Sequence, residues 1–253
     1  MQTILGSNGQ IGTVLAKDLY QHYTKEIRLV GRHPQKIHDT DELMVADLTD
    51  PAQTFEAIAG SEAVYFTVGL PMDATTWEEQ FPLIVENVIQ ATIKADAKLA
   101  FFDNTYMYRK DATPQMEASP FVPVGRKSVV RSKIATRLLA AMDNEGLQAV
   151  IGRAPEFYGP DRTQGITNGM LFDRIKAGQT PQVPVNDTVL RTFIWTPDAS
   201  RALALLGNTP DAYGQTWHLP TEPGISYKDL IALTEQVVGH EVTYDIISLD
   251  AFR

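Results

Sequence analysis

The 253-residue chain contains no cysteine, which excludes disulfides, thiolate metal sites and cysteine nucleophiles. Basic residues are in the minority, 22 lysines and arginines against 31 aspartates and glutamates, for a formal charge of −9. That balance disfavours broad electrostatic attraction to nucleic acid or to an anionic membrane face, so neither is expected as a partner. No uninterrupted apolar stretch approaches bilayer-spanning length, and the apolar run that begins at the third residue has no basic leader before it, so the expected location is cytoplasmic. The five histidines, His22, His33, His38, His218 and His240, fall at no metal-ligand spacing, and no metal is expected. Internal repeats and low-complexity tracts are lacking as well.

What is present is an ordinary globular composition, 43% hydrophobic and 21% charged, in a chain long enough to bury a full core. Short apolar runs occur at 4–6, 27–31, 42–46, 63–69, 98–103 and 147–153. Between them lie segments of helical period, the clearest at 77–95 and 125–146, where apolar residues recur at spacings of three and four. Strands alternating with helices predict an α/β fold, a doubly wound and mostly parallel sheet with helices on both faces. After about residue 155 prolines and turn residues become frequent and helices shorten. The expected organisation is a nucleotide-binding domain over 1–155 and a smaller substrate lobe over 156–253. The segment QTWHLP at 215–220 is expected to return one strand to the main sheet, interleaving the two.

The amino terminus carries GSNGQIG, with glycines at 6, 9 and 12 between the first apolar run and an amphipathic segment. A strand running into such a turn and then a helix is the dinucleotide-binding arrangement: Gly6 permits the tight turn, Gly9 lets backbone approach a pyrophosphate, and Gly12 lets helix pack on strand. The helix amino end offers unpaired N–H groups and partial positive charge to phosphates. The second run ends at Gly31 and Arg32, where an adenine ribose is expected. An acid there would hold a 2′-hydroxyl, whereas a guanidinium suits a 2′-phosphate, so NADP is favoured over NAD; a solvated loop arginine is the plainer reading. The third run leads to Asp47 and Leu48, positioned to meet the adenine, although a helix cap by Asp47 or Thr49 accounts for that acid nearly as well.

Taken with ADLTD at 46–50, ENVIQA at 86–91, RAPEFYGP at 153–160 and RTFIWTPDASRAL at 191–203, these residues resemble the extended short-chain dehydrogenase/reductases, the nucleotide-sugar epimerase and dehydratase group with a Rossmann fold. DNTYMYR at 103–109 is similar to the turn of an atypical subgroup. The resemblance implies that Ser7, Asn8, Gln10 and Ile11 in the turn, Val68 and Gly69 after the fourth strand, and Pro155 after the sixth also line the cofactor. It implies as well a dimer through the helices at 77–95 and 125–146. In active relatives a serine or threonine after the fifth strand works with a YxxxK pair on the next helix, the tyrosine moving a proton and the lysine holding the nicotinamide ribose and stabilising phenolate. Here VVRSK at 129–133 puts Lys133 in the lysine position and Val129 in that of the tyrosine, and Asn104 stands for the serine.

Two readings stand for Tyr106: it supplies the missing phenol, or it packs against the lobe. Glu156 likewise either contacts substrate or is a surface carboxylate, while Lys127, Arg131 and Arg137 are expected to be solvated. The resemblance implies a carboxyl end continuing past the position matching SLDAFR at 248–253, so an incomplete substrate lid is an expectation and the substrate is left open. The implied function is an NAD(P)-dependent epimerase or reductase acting on a hydroxyl or carbonyl of a small polar substrate such as a nucleotide sugar. The alternative is a non-catalytic NADP sensor similar to NmrA-like proteins.

Overall fold

The computed structural model describes residues 1–160 and 163–252. Strands β1 (Gln2–Leu5), β2 (Ile27–Gly31), β3 (Glu42–Val45), β4 (Ala63–Phe66), β5 (Lys98–Asn104) and β6 (Ala149–Ala154) alternate with helices α1 (Gln10–His22), α2 (Pro51–Ile58), α3 (Ala74–Lys94) and α4 (Arg126–Asn144). There follow β7 (Glu156–Tyr158), a single π-helical turn at Asn168–Phe172, α5 (Asp173–Lys176), β8 (Gln182–Pro184), β9 (Phe193–Trp195), α6 (Thr196–Gly207), β10 (Thr216–His218), α7 (Tyr227–Val238), β11 (Asp245–Ile247) and α8 (Leu249–Phe252).

The chain separates into two compact units, Met1–Ala154 with Ala199–Leu219 and Pro155–Asp198 with Pro220–Arg253. In the first, seven strands form a sheet in the order β10-β6-β5-β4-β1-β2-β3, with every neighbouring pair parallel. This is a doubly wound Rossmann-type sheet whose order reverses between β1 and β4, the switch point where such sheets bind ligands outside the carboxyl ends of their strands. β10 lies beside β6, Thr216 opposite Ile151.

The strands are apolar on both sides because helices cover both faces. One face carries Leu5, Phe66, Phe101 and Ile151, packed with Phe81, Val85 and Val88 of α3 and with Ile134 and Leu138 of α4. Phe66 and Phe101 stack with centroids 4.5 Å apart. On the other face Gly152 lies under Leu203 and Leu206 of α6, and the Ser200 hydroxyl donates to the Ile11 carbonyl at 3.1 Å, tying α6 to α1. The second unit holds two small parallel pairs, β7 with β9 and β8 with β11, around Leu171, Val183, Phe193, Tyr227 and Ile231.

Candidate functional site

At the switch point, β1 ends in the glycine turn. Gly6 adopts φ +83°, and a side chain there would lie 2.9 Å from the Val68 Cα and 3.0 Å from the Thr67 carbonyl; the turn is left-handed and pressed against the end of β4. Gly12 is equally closed, since a Cβ would lie 2.8 Å from the Gly6 oxygen and 2.9 Å from the Ser7 Cα. These two glycines are explained by the protein's own packing. Gly31 and Gly69 are different. A Cβ on either would meet no atom within 4 Å, and neither has the positive φ that excludes side chains. Lying at the ends of β2 and β4, they leave open space beside the turn that neither conformation nor packing requires.

Gly9, with φ −72° and ψ 163°, is the N-cap of α1, which has no side-chain cap and no acidic residue in its first turn. The amino end of that helix carries partial positive charge. Ser7 and Ile11 serve the fold: both are buried, and the Ser7 hydroxyl donates to the Val30 carbonyl at 3.3 Å. Asn8 reaches sideways. Its Nδ2 donates to the His33 carbonyl at 2.6 Å, and its Oδ1 accepts from the Gln35 N–H at 3.2 Å. Arg32 is exposed just before that segment.

Asp47 accepts from both the N–H and the hydroxyl of Thr49, at 2.9 and 2.8 Å. Those bonds, helped by the Arg32 charge, hold its carboxyl below the usual range. Neither Asp47 nor Thr49 caps α2; Asp50 does, accepting from Ala52 and Gln53. Leu48 is buried, and its carbonyl and that of Thr49 each accept from Asn87 Nδ2 at 3.0 Å, so the asparagine of ENVIQA anchors this loop to α3.

The carboxyl end of β5 holds a buried charged chain. Asp103 Oδ2 accepts from Arg153 Nε at 3.1 Å, and Oδ1 lies 3.7 Å from Arg131 Nη1. Arg153 Nη1 donates to the Tyr108 hydroxyl at 2.6 Å, and that hydroxyl is 3.0 Å from His218 Nε2. Arg131 also lies over the rings of Trp77 and Phe81, at 5.0 and 4.4 Å. Burial pushes its guanidinium below the ordinary value, and Asp103 and Tyr106 pull the other way; an arginine stays charged through such a shift. Three guanidinium nitrogens (Arg131 Nε and Nη1, Arg153 Nη2) and Asp103 Oδ1 are buried without a hydrogen-bond partner. Asn104 Oδ1 accepts from the Tyr106 N–H at 3.0 Å, and the Tyr106 ring stacks on Trp77 of α3 with centroids 6.3 Å apart. Tyr106 therefore packs on α3, a partner the sequence reading did not name.

Lys133 and Val129 do not join this cluster. Both are exposed, two residues either side of Arg131 and so about 200° around the helix from it. Lys133 instead lines a shallow groove between α3 and α4 with Pro82, Val85, Glu86, Ile134 and Arg137. The cation that α4 turns toward β5 is Arg131, which was expected to be solvated but is 7% exposed beside Asp103. One turn earlier Lys127 donates to the Met72 carbonyl at 2.6 Å. Arg137 bridges Glu86 and Glu145.

In the second unit Glu156 is no surface carboxylate. It accepts from Arg191 Nη2 at 2.5 Å, from the Thr167 hydroxyl at 2.5 Å and from the Tyr227 hydroxyl at 3.5 Å. Pro155 follows β6 directly. Among the described residues no group of three or more His, Asp or Glu side chains is placed to hold a metal, and no helix is long and apolar enough to cross a membrane.

Comparison with known proteins agrees with this architecture. The profile of the NAD dependent epimerase/dehydratase family matches residues 3–219, and the chain belongs to that family. No curated protein sequence matches significantly. Similar solved structures include UDP-glucuronic acid 4-epimerase from Bacillus cereus in complex with NAD, 16% identical with a TM-score of 0.84 over 98% of this chain and 87% of that one. A double mutant of dTDP-glucose 4,6-dehydratase from Streptomyces venezuelae with NAD bound is 15% identical, with a TM-score of 0.84 over 98% and 84% of the two chains. UDP-N-acetylglucosamine 4-epimerase from Methanobrevibacter ruminantium M1, in complex with UDP-N-acetylmuramic acid, is 15% identical with a TM-score of 0.83 over 98% and 84%.

Proposed function

We propose that this member of the NAD dependent epimerase/dehydratase family is an NADP-dependent enzyme of an atypical epimerase/reductase type, acting on a hydroxyl or carbonyl of a small polar substrate. Nucleotide sugars are the substrate class, by analogy with the named structural neighbours. The observation that carries the reading is the pair of glycines, Gly31 and Gly69, whose missing side chains face open space beside a turn that is itself tightly packed. A bound dinucleotide accounts for glycine at both positions.

In this reading the N–H groups of the turn and of the first turn of α1 hold the pyrophosphate, Leu48, Val68, Gly69 and Pro155 line the cofactor, and Arg32 meets the 2′-phosphate. When bound, the cofactor supplies a hydride donor or acceptor at its nicotinamide. Tyr106 carries the proton of the reacting oxygen, assisted by the nearby Arg131 charge. Asn104, whose Oδ1 is engaged by the Tyr106 N–H, presents its Nδ2 as a donor. A second reading, a non-catalytic NADP sensor, is favoured by one observation: the buried cation of α4 is committed to Asp103.

Titration of NADPH and NADH into wild type and Arg32→Ala tests the cofactor. A charge-assisted hydrogen bond of about 1.5–3 kcal/mol corresponds to a preference of roughly ten- to hundredfold, and equal wild-type affinities refute NADP. Turnover on a panel of carbonyls and nucleotide sugars that disappears in Tyr106→Phe supports the enzyme. Tight NADPH binding with no turnover supports the sensor.

A further inference from the structure

The Asn8 side chain lies in the middle of the glycine turn, yet it bonds to neither the turn nor α1. Both ends of its amide are spent on the segment after β2, Nδ2 on the His33 carbonyl at 2.6 Å and Oδ1 on the Gln35 N–H at 3.2 Å. An amide is the side chain that meets this demand, one donor and one acceptor on adjacent atoms facing a carbonyl and an N–H two residues apart. Aspartate would put two acceptors before the His33 oxygen, and serine is too short to bridge both groups. The clamped segment begins one residue after Arg32, and Arg32 follows Gly31, the last residue of β2. With β2 held in the sheet on one side and Asn8 holding His33 and Gln35 on the other, the backbone that carries Arg32 is fixed at both ends. Its side chain is exposed, and its charge is felt by Asp47 at the end of β3.

We infer that Asn8 is a positioning residue for cofactor specificity, coupling the glycine turn to the 32–35 segment so that Arg32 is held where the ribose phosphate of NADP binds. The inference rests on the NADP reading above. It separates two functions within one seven-residue turn: the glycines admit a dinucleotide of either kind, and Asn8 discriminates between the two. A pre-set guanidinium avoids the ordering cost that a free loop would meet at each binding event. That benefit falls only on the ligand that Arg32 touches.

The test is a double-mutant cycle on cofactor affinity, with Kd for NADPH and NADH measured in wild type, Asn8→Ala, Arg32→Ala and the double variant. Asn8 is exposed, so the variants are expected to fold, and circular dichroism checks that they do. Loss of the bridge should weaken NADPH about three- to tenfold, the equivalent of about one ordinary hydrogen bond, and leave NADH within about twofold. In the Arg32→Ala background, Asn8→Ala should no longer change the NADPH-to-NADH ratio. Equal loss for both cofactors, or an unchanged ratio effect without Arg32, overturns the inference by showing that Asn8 shapes the turn for any dinucleotide. A wild-type NADPH preference that Asn8→Ala leaves intact overturns it too, while the NADP reading stands. Equal affinities in the wild type overturn the NADP reading and this inference with it.

Discussion

Replacing Gly69 by alanine separates the two kinds of glycine at the switch point. At Gly69 the new methyl meets nothing within 4 Å and the backbone is outside the left-handed region, so the folded state bears no strain while the unfolded chain loses freedom. The expected change is a gain of about 0.4–1 kcal/mol, or a rise in Tm of about 1–4 °C for a chain of this size. At Gly12 the same methyl is driven to 2.8 Å from the Gly6 oxygen and 2.9 Å from the Ser7 Cα. Both are backbone atoms that move only if the turn moves, and overpacking of this kind costs about 1–3 kcal/mol. The two variants should therefore shift stability in opposite directions. For NADPH they should agree, because in Gly69→Ala the methyl occupies cofactor space and in Gly12→Ala the cradle is distorted. The assay is thermal unfolding with and without NADPH. Ligand at a hundredfold above Kd adds about 2.7 kcal/mol to the wild type, and this increment should shrink to near zero in both variants at the same concentration. If Gly69→Ala, and Gly31→Ala beside it, are stabilised by NADPH as the wild type is, the open space belongs to no dinucleotide and the functional reading loses its carrying observation.

Lys133→Ala should leave NADPH affinity within about twofold, as expected for an exposed side chain in the groove between α3 and α4, and a tenfold loss in an isothermal titration would support the YxxxK register. Val129 is 38% exposed, so Val129→Tyr should fold with little change in stability and confer no reductase activity; a gain of carbonyl reduction would contradict the placement. The His218 imidazole is pushed below its ordinary value, first by burial and further by Arg153, against the opposing pull of Glu117. Its contribution to stability is therefore complete above the unfolded value of about 6.5 and is lost as pH falls from there through the folded value. The difference in unfolding free energy between wild type and His218→Gln should narrow over that acid range, and parallel curves would show that this histidine does not titrate differently in the two states.

The sheet was legible because its signals are local. Six apolar runs bounded by turn residues became β1 to β6, the helices at 77–95 and 125–146 became α3 and α4 with small changes at their ends, and the glycine turn sits at the switch point. Gly6 and Gly12 act as their positions predict. Other features depend on which partner a polar side chain finds, and that is set by tertiary structure. The cap of α2 is an exception, since Pro51 at the first helical position marks Asp50 as the N-cap, and that signal was available. The Asn8 bridge spans 25 and 27 residues between exposed groups, and no periodicity or spacing encodes it. The same holds for Glu156, which becomes half-buried through Thr167, Arg191 and Tyr227, residues 11, 35 and 71 positions away.

Arg131 of α4 is the most informative miss, because the helical phase of its neighbours already places it inward. Val130, Ile134, Ala135, Leu138 and Ala141 are the inward residues of this helix, and at about 100° per residue they place Arg131 within the apolar stripe and Lys133 outside it. A cation inside such a stripe is costly unless an anion is buried with it. The strand KLAFFDN offers one, Asp103, an acid in an otherwise apolar run that is itself unexplained until a partner is found. Each residue is anomalous alone, and together they account for one another. Motif spacing selects a residue by its distance from a glycine turn or a tyrosine position and takes no account of helical phase. Burial selects by phase. The cation of this site is accordingly the one that the apolar residues turn inward and that Asp103 makes tolerable.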